Sequence, residues 1–405
     1  MMNRIQHRGP DSAGQYITEQ AAWGFRRLSI IDLDNGSQPM FNEDNSIVIV
    51  FNGEIYNYKI LKEDLIAKGH VFRNNSDTEV LVHGYEEYGT DLPRYGRGMF
   101  AFMIYDTNKD IAFGARDYFG IKPFYYGVIN DNLVFGSEIK SILEYPGYEK
   151  KVNMEALEEY LTFQYSPCDE TFFQGVYKLP PAHYFTYQNG KFEMKRYWDV
   201  HFKADQKPDL DTWVNRISDT FHDSVKAHKI ADVEVGSFLS SGVDSSYVST
   251  YFKGQKTFTV GFDYGEKYNE IDWAKGLSKE VGLEHHYKVI STEEYWDSIR
   301  KVQYHMDQPL ADASCIALYF VSKMASEYVK VVLSGEGADE LFGGYNIYHE
   351  PDDLAGYKRL PLFLRKAFAA IAKALPFRFR GKSFLIRGAQ TIEESFIGNC
   401  SMFTM

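Results

Sequence analysis

The chain opens with short apolar runs and changes texture near its middle. Up to about residue 200 the apolar positions come in brief stretches, SIVIVFNGEIYNY, GMFAFMIYD, DIAFGARD and FYYGVINDNLVFGSE, broken by Gly, Asn and Asp. Such runs predict β-strands in an all-β or α+β layered domain. Helical spacing in YKILKEDLIAKG and DTEVLVHGYEEYG places helices between them. Beyond residue 211 the strand-like runs VEVGSFL, KTFTVGF and VKVVLSG alternate with the helical patterns WVNRISDTFHDSVKAH, EIDWAKGLSKEVG and IALYFVSKMASEY. That alternation predicts βαβ units around a parallel sheet. The polar, proline-containing stretch 200–211 divides the two, giving domains at 1–200 and 208–405. A length of 405 residues suits two cores. YKRLPLFLRKAFAAIAKAL, residues 357–375, reads as a basic amphipathic helix packed on its apolar face, with a membrane-surface role the lesser alternative.

Charge and cysteine usage narrow the partners. A net charge of −12 spread over short acidic runs argues against nucleic acid, which calls for a basic face. Cys168, Cys315 and Cys400 lie far apart with no C-x-x-C pair, so neither a disulfide framework nor a zinc knuckle is expected. No run approaches the roughly 18 apolar residues of a membrane span, and MMNRIQHRGPDSAG lacks a signal peptide's apolar core. The reading is a soluble, cytoplasmic protein with small-molecule partners; a homodimer is compatible with it, though one chain fixes no oligomeric state.

Two glycine-rich turns carry candidate chemistry. Ser240-Ser241-Gly242-Val243-Asp244-Ser245-Ser246 follows an expected strand and precedes an expected helix, the position at which open α/β sheets bind ligands. It lacks both the Walker lysine and G-x-G-x-x-G. A carboxylate beside phosphates would repel them unless Mg²⁺ lies between, so Asp244 points to a metal-bridged pyrophosphate; a plainly capped helix start is the alternative. VVLSGEGADELFGGY, residues 331–345, repeats the strand-into-turn pattern with Glu336, Asp339 and Glu340. Mg²⁺ ligation, notably by Asp339, or a carboxylate acting on a charged intermediate explains that crowding, against a merely solvated acidic turn. The two loops resemble the ATP-pyrophosphatase signature of adenylating enzymes.

In the first half, Asn52-Gly53 reads either as a type I′ hairpin turn or as an oxyanion hole built from a side-chain amide and a backbone N–H. Arg27 and Asp77 are candidates for the carboxylate and ammonium of a free amino acid, although each taken alone is an ordinary surface charge. The motifs HRGPDSAG, RRLSIID, NGEIYN, SDTE, GMFAF, ARDYFGIKPFYY and SEIK come in one order, followed by LSSGVDSS, FTVGF and LSGEGADELFGGY. That order resembles the glutamine-dependent asparagine synthetases over residues 1 to about 350.

The resemblance implies an α+β Ntn-type glutaminase domain of layered antiparallel sheets with helices, followed by an α/β parallel-sheet ATP-pyrophosphatase domain. It implies that ammonia released from glutamine passes through an internal tunnel to displace AMP from an aspartyl adenylate. Residue by residue, it implies glutamine contacts from Arg27, Leu28, Ser29, Ile30, Ile31, Asn52, Gly53, Glu54 and Asp77. It places Phe238, Ser240, Ser241, Gly242, Asp244, Ser245, Ser246, Val260, Ser334 and Gly335 around ATP, with Mg²⁺ on Asp244 and Asp339. Formation of the adenylate would depend on Glu336. Ser241 stands where many relatives have glycine.

The family's glutaminase uses an N-terminal cysteine whose own α-amine is the base. The motif order here opens about 20 residues into that domain, and relatives continue roughly 200 residues past the other end, so the expectation is an internal piece of a longer enzyme without glutaminase activity of its own. Cys168, in YSPCDETFF, reads as a structural or solvent-facing thiol. Two readings compete: a relative that amidates another carboxylate or closes a β-lactam, and a non-catalytic scaffold that binds nucleotide. Serine-hydrolase and metalloenzyme readings fail because there is no G-x-S-x-G elbow and His285-His286 lacks ligand spacing. Ser137-x-x-Lys140 matches a penicillin-binding pattern that is short enough to arise by chance.

Overall fold

The computed structural model describes residues 1–391 and 394, apart from 205–206, 266–268 and 378; Cys400 and the tail 397–405 lie outside the described residues. The first part is built on antiparallel pairs. Strands β1 (Ser12–Ile17) and β2 (Ala22–Arg27) form a hairpin. A six-stranded sheet then collects β3 (Met40–Phe41), β4 (Ile47–Ile55), β5 (Gly98–Asp106), β6 (Ile111–Arg116), and, after β7 (Tyr125–Ile129), β8 (Asn132–Gly136) and β9 (Tyr177–Lys178), the strands β10 (His183–Gln188) and β11 (Lys191–Arg196), in the order β11-β10-β6-β5-β4-β3. Strands β7, β8 and β9 make a third, smaller sheet.

The unbroken apolar runs of β4 and β5 have a packing cause: both faces of this sheet are covered, so alternation disappears. Ile49 and Phe51, with Phe100, Phe102 and Ile104, face α1 (Tyr58–Ala67) and α2 (Asp77–Tyr88), meeting Leu61, Leu65, Val80, Leu81 and Tyr85. Val48, Val50, Met103 and Tyr105 turn the other way, onto Trp23, Phe124, Tyr126 and Phe185. A buried aromatic core of this size, at roughly 25 cal/mol per Å² of apolar area removed from water, dominates the domain's stability. Ser76 caps α2, its hydroxyl accepting from the Thr78 amide at 3.0 Å, and so places Asp77 in the first turn.

The second part is a parallel sheet. Strands β12 (Val235–Phe238), β13 (Lys256–Phe262), β14 (Glu284–Ile290) and β15 (Val331–Leu333) lie in the order β14-β13-β12-β15, all parallel. In chain order the helices between and around them, after the short α3 (Ile139–Ile142) and α4 (Met154–Phe163) of the first part, are α5 (Leu210–His228), α6 (Val243–Ser249), α7 (Ile271–Val281), α8 (Thr292–Met306) and α9 (Ser314–Ala325). One face packs Val235 against Val225 of α5 and Val248 of α6. The other packs Phe258 against Val321 and Ala325 of α9.

β14 and α8 were not among the expected elements. EHHYKVI carries two charges and two histidines where an apolar run would be looked for, and its pairing along the full length of β13 makes it a strand. Residues 357–375 do not form one helix: a short turn, 355–358, gives way at Pro361 to a helix spanning Leu362–Ala374. A proline removes one N–H and disfavours helical backbone before it, which accounts for the break.

Candidate active site

Asn52 and Gly53 sit within β4, opposite Ala101 and Phe100 of β5, so the pair is not a hairpin turn. Gly53 is there because the strands approach closely: a Cβ would lie 2.8 Å from the Phe100 Cα and would also run into the Met99 carbonyl. A cavity of about 1200 Å³ opens beside this strand. Its lining brings together Arg27, Leu28, Ile30, Ile31, Asn52, Gly53, Glu54 and Asp77. Ser29 is buried instead and gives its amide to Asp11 Oδ2 at 2.8 Å.

Among the described residues several polar atoms of this lining are unsatisfied, Arg26 Nε and the Tyr56 hydroxyl together with two that bear on the chemistry. Asn52 Nδ2 and Glu54 Oε2 are buried without a hydrogen-bond partner. Such groups are expensive to leave unpaired unless a ligand completes them. Burial first, and then the charge of Asp77, holds the Glu54 carboxyl far above its usual range. Burial likewise raises Asp77, although its Oδ2 accepts from the Ile55 amide at 2.9 Å. Two close carboxyls in a dry site cannot both ionise cheaply, and an ammonium group between them would remove the conflict.

Arg27 is an anchor as well as a charge. Its Nη1 donates to Leu33 O at 3.1 Å, and Nη2 to Ile31 O and Asp32 O at 2.9 and 2.7 Å. These bonds fold residues 28–33 around the guanidinium. Gly36 permits the approach, since a Cβ there would collide with Nη2.

Several residues of this region escaped the sequence reading. Gln38 binds β4 like a short strand: Oε1 accepts from Phe51 N at 2.7 Å, and Nε2 reaches Phe51 O and Thr78 Oγ1, both at 3.2 Å. Lys122 lines the cavity, its ammonium lowered by burial first and then by Arg8. The motif ARDYFGIK exists to hold it there. Asp117 Oδ1 accepts from Phe119 and Ile121, and Oδ2 from Lys122 and Phe100. Arg116 closes the same turn through the carbonyls of Gly120, Lys122 and Leu179. Cys168 is exposed, bonds Glu159, and is absent from the cavity lining.

The glycine-rich turns converge at the other end of the molecule's second sheet. β15 lies beside β12, on the opposite side from β13, so the loops leaving β12 and β15 emerge side by side at the switch point of the sheet. Gly335 rests against the β12 loop: a Cβ on it would stand 2.8 Å from the Asp244 Cβ and from the Ser245 amide nitrogen. Within the loop, Ser240 and Ser245 share a hydroxyl contact of 2.8 Å, Gly242 N donates to Ser240 Oγ, and Ser246 Oγ donates to Gly242 O. Glu270, another residue missed in the sequence, accepts from Ser241 N at 3.0 Å. Phe238 and Val260 lie on neighbouring strands, half-buried. Glu336 is exposed and gives its amide to Ser334 Oγ at 3.3 Å. Glu340 accepts from the Tyr345 hydroxyl at 2.8 Å, and Asp339 packs on Gly344. The cavity beside β4 extends to Val331, Val332 and Leu333, the strand that delivers Ser334 and Gly335.

A glutamine amidotransferase domain family matches residues 1–198, and the asparagine synthase family matches residues 216–393. The chain is 34% identical to the putative glutamine-hydrolyzing asparagine synthetase 2 of Methanocaldococcus jannaschii, across 90% of this chain and 75% of that protein. The chain belongs to the asparagine synthetase family. It is also 46% identical to glutamine-hydrolyzing asparagine synthetase 1 of Bacillus subtilis, over all of this chain and 64% of that protein. It is 35% identical to the synthetase numbered 2 of the same organism, over 87% of this chain and 50% of that protein. The chain thus spans about 64% of the length of the first of the curated relatives it matches. Among the described residues no helix is long and apolar enough to cross a membrane.

Proposed function

We propose that this chain serves asparagine synthesis: ATP activates the side-chain carboxylate of aspartate, and ammonia displaces the activating group, drawn from glutamine where a cysteine nucleophile completes the first site. The observation that carries the reading is the shared cavity, whose lining contains both the Asn52/Asp77 region and the strand entering the Ser334–Gly335 turn. Glutamine would lie with its ammonium near Glu54 and Asp77 and its carboxylate toward the Arg27 loop. The unpartnered Asn52 Nδ2 would then receive the negative charge that builds on the amide oxygen. Ammonia released there would have a path along the same cavity to β15.

At the second site an aspartate carboxylate oxygen attacks the α-phosphorus of ATP, pyrophosphate leaves, and ammonia then replaces AMP at the acyl carbon. The β12 loop, Ser240 to Ser246, and the Ser334–Gly335 turn would hold the nucleotide, with Phe238 and Val260 beside the base. Asp244 and Asp339 offer only oxygen donors, which suit a hard cation. Bound there, Mg²⁺ would offset the pyrophosphate charge. Glu336, exposed in its turn, would meet the forming adenylate.

The test is pyrophosphate exchange into ATP with Mg²⁺ and aspartate. Exchange that requires aspartate and disappears in Glu336→Gln is expected. Exchange with another carboxylic acid but not with aspartate would move the reaction to that acid, and absence of exchange with any would overturn the reading.

A further inference from the structure

Six residues along α2 from Asp77, about 9 Å at 1.5 Å per residue, His83 stands among acids that the glutamine site does not use. Its side chain is 1% exposed. Nδ1 lies 3.0 Å from Glu86 Oε2 and 3.7 Å from Glu43 Oε2. His70, just beyond the end of α1, sets its own Nδ1 3.6 Å from the same Glu86 oxygen. Donor atoms of Glu43, His70 and His83 all fall within 4.8 Å of one another.

The carboxylates are already oriented. Glu86 spends Oε1 on Asn42 Nδ2 at 2.9 Å, and Glu43 spends Oε1 on the Val71 amide at 3.2 Å. Each therefore turns its second oxygen toward the imidazoles. Behind His83, Nε2 is buried without a hydrogen-bond partner and lies 3.8 Å from Glu79 Oε1. Glu79 is fixed in turn by the amides of Arg73 and Asn74 at 2.8 and 2.9 Å.

We propose that Glu43, His70, His83 and Glu86 form a site for a divalent transition metal of the zinc type. Two imidazoles and two carboxylates are a borderline N/O donor set that neutralises a dication. Tetrahedral zinc with bonds of about 2.0–2.1 Å holds its ligand atoms roughly 3.3–3.4 Å apart; three of the six separations, at 3.0, 3.6 and 3.7 Å, lie near that, and the looser set of Glu43, His70 and His83 atoms, within 4.8 Å, would tighten on binding. A carboxylate behind the outer nitrogen of a ligating histidine is the usual support for such a ligand, and Glu79 occupies that place. The four ligands come from the turn before β4, the end of α1 and two positions on α2. The ion would clamp these elements together and steady the helix that carries Asp77. It is a structural site, independent of the synthetic reaction.

The test uses the 405-residue chain treated with chelator and dialysed, then titrated with zinc chloride and, separately, with cobalt chloride as a spectroscopic probe. One zinc per chain, a rise in Tm on binding, and the intense visible absorption of four-coordinate cobalt are expected. His70→Asn and Glu43→Gln lie nearer the surface than His83 and leave the core intact, so each should keep the native circular dichroism while weakening zinc at least tenfold. If zinc fails to bind stoichiometrically, or binds equally well to both folded variants, the four side chains are a metal-free ion-pair cluster and the proposal is wrong.

Discussion

Lys140 of the first domain reaches across to Asp307 of the second, Nζ to Oδ1 at 2.7 Å, with both side chains less than a tenth exposed. The same ammonium meets Glu138 Oε2 at 2.6 Å. Glu138 Oε1 in turn meets His7 at 2.8 Å and Arg8 at 3.4 Å. Asp307 follows α8 with φ at +64° and also accepts the Ile139 amide at 2.7 Å. The two acids respond differently. Burial dominates at Asp307, which is raised. At Glu138 burial pushes up too, but Lys140 and His7 outweigh it and the carboxyl is lowered. A second link crosses between the domains at Asp11 Oδ2, which pairs with Lys330 at 2.6 Å while holding Ser29.

Removing one partner of a buried ion pair leaves the other charge stranded. Lys140→Met should therefore destabilise the chain by about 3–5 kcal/mol, read by urea unfolding. Lys140→Met combined with Asp307→Asn should cost less than the single change. A double variant as unstable as the sum of the two would show that the charges do not couple.

Glu54 and Asp77 predict a falling stability with rising pH. The folded chain keeps protons on these carboxyls that the unfolded chain releases near pH 4, so their contribution is greatest at low pH. It declines as pH rises toward about 9, the value to which burial and Asp77 push Glu54. Glu54→Gln should flatten this part of the stability curve, measured by denaturant unfolding of ligand-free protein at several pH values. Parallel curves for the two proteins would remove Glu54 from the account.

Gly335→Ala should separate the nucleotide loops, because its Cβ would stand 2.8 Å from Asp244 and from the Ser245 amide. A displacement near 1 Å in a reacting site costs on the order of 10²-fold in rate. Pyrophosphate exchange should fall by about that factor, while Tm changes little because the turn is only half-buried.

Asp117 accepts four amides, two on each oxygen. Asp117→Ala leaves the Phe100 amide unpaired in the core and three more in a part-buried turn, and should cost about 1–3 kcal/mol. Asp117→Asn retains one accepting oxygen and should fall between alanine and wild type in the same unfolding measurement.

Much of this molecule is readable locally. β4 and β5 announce themselves as apolar runs because both faces of their sheet are covered, and α2 announces itself through Ser76 and its apolar spacing. Order of motifs was enough to reach the family. Elements whose residues are polar, such as β14 with its paired histidines, are strands only because a neighbour supplies the other half of each hydrogen bond. The Pro361 break was visible as a residue and overlooked as a consequence.

The sequence by itself determined the layered antiparallel first half, the parallel-sheet second half and the position of the two glycine-rich turns after their strands, since these rest on periodicity and on short contiguous segments. Only the tertiary structure decided that Asn52-Gly53 lies in a strand, that ARDYFGIK is a frame for Lys122, that SEIK and HRGPD reach the second domain, and that Glu43, His70, His83 and Glu86 meet. Those facts depend on residues tens to hundreds of positions apart coming within a few ångströms. Local pattern carries no record of such pairings, because they are set by how the buried faces of separate elements fit together.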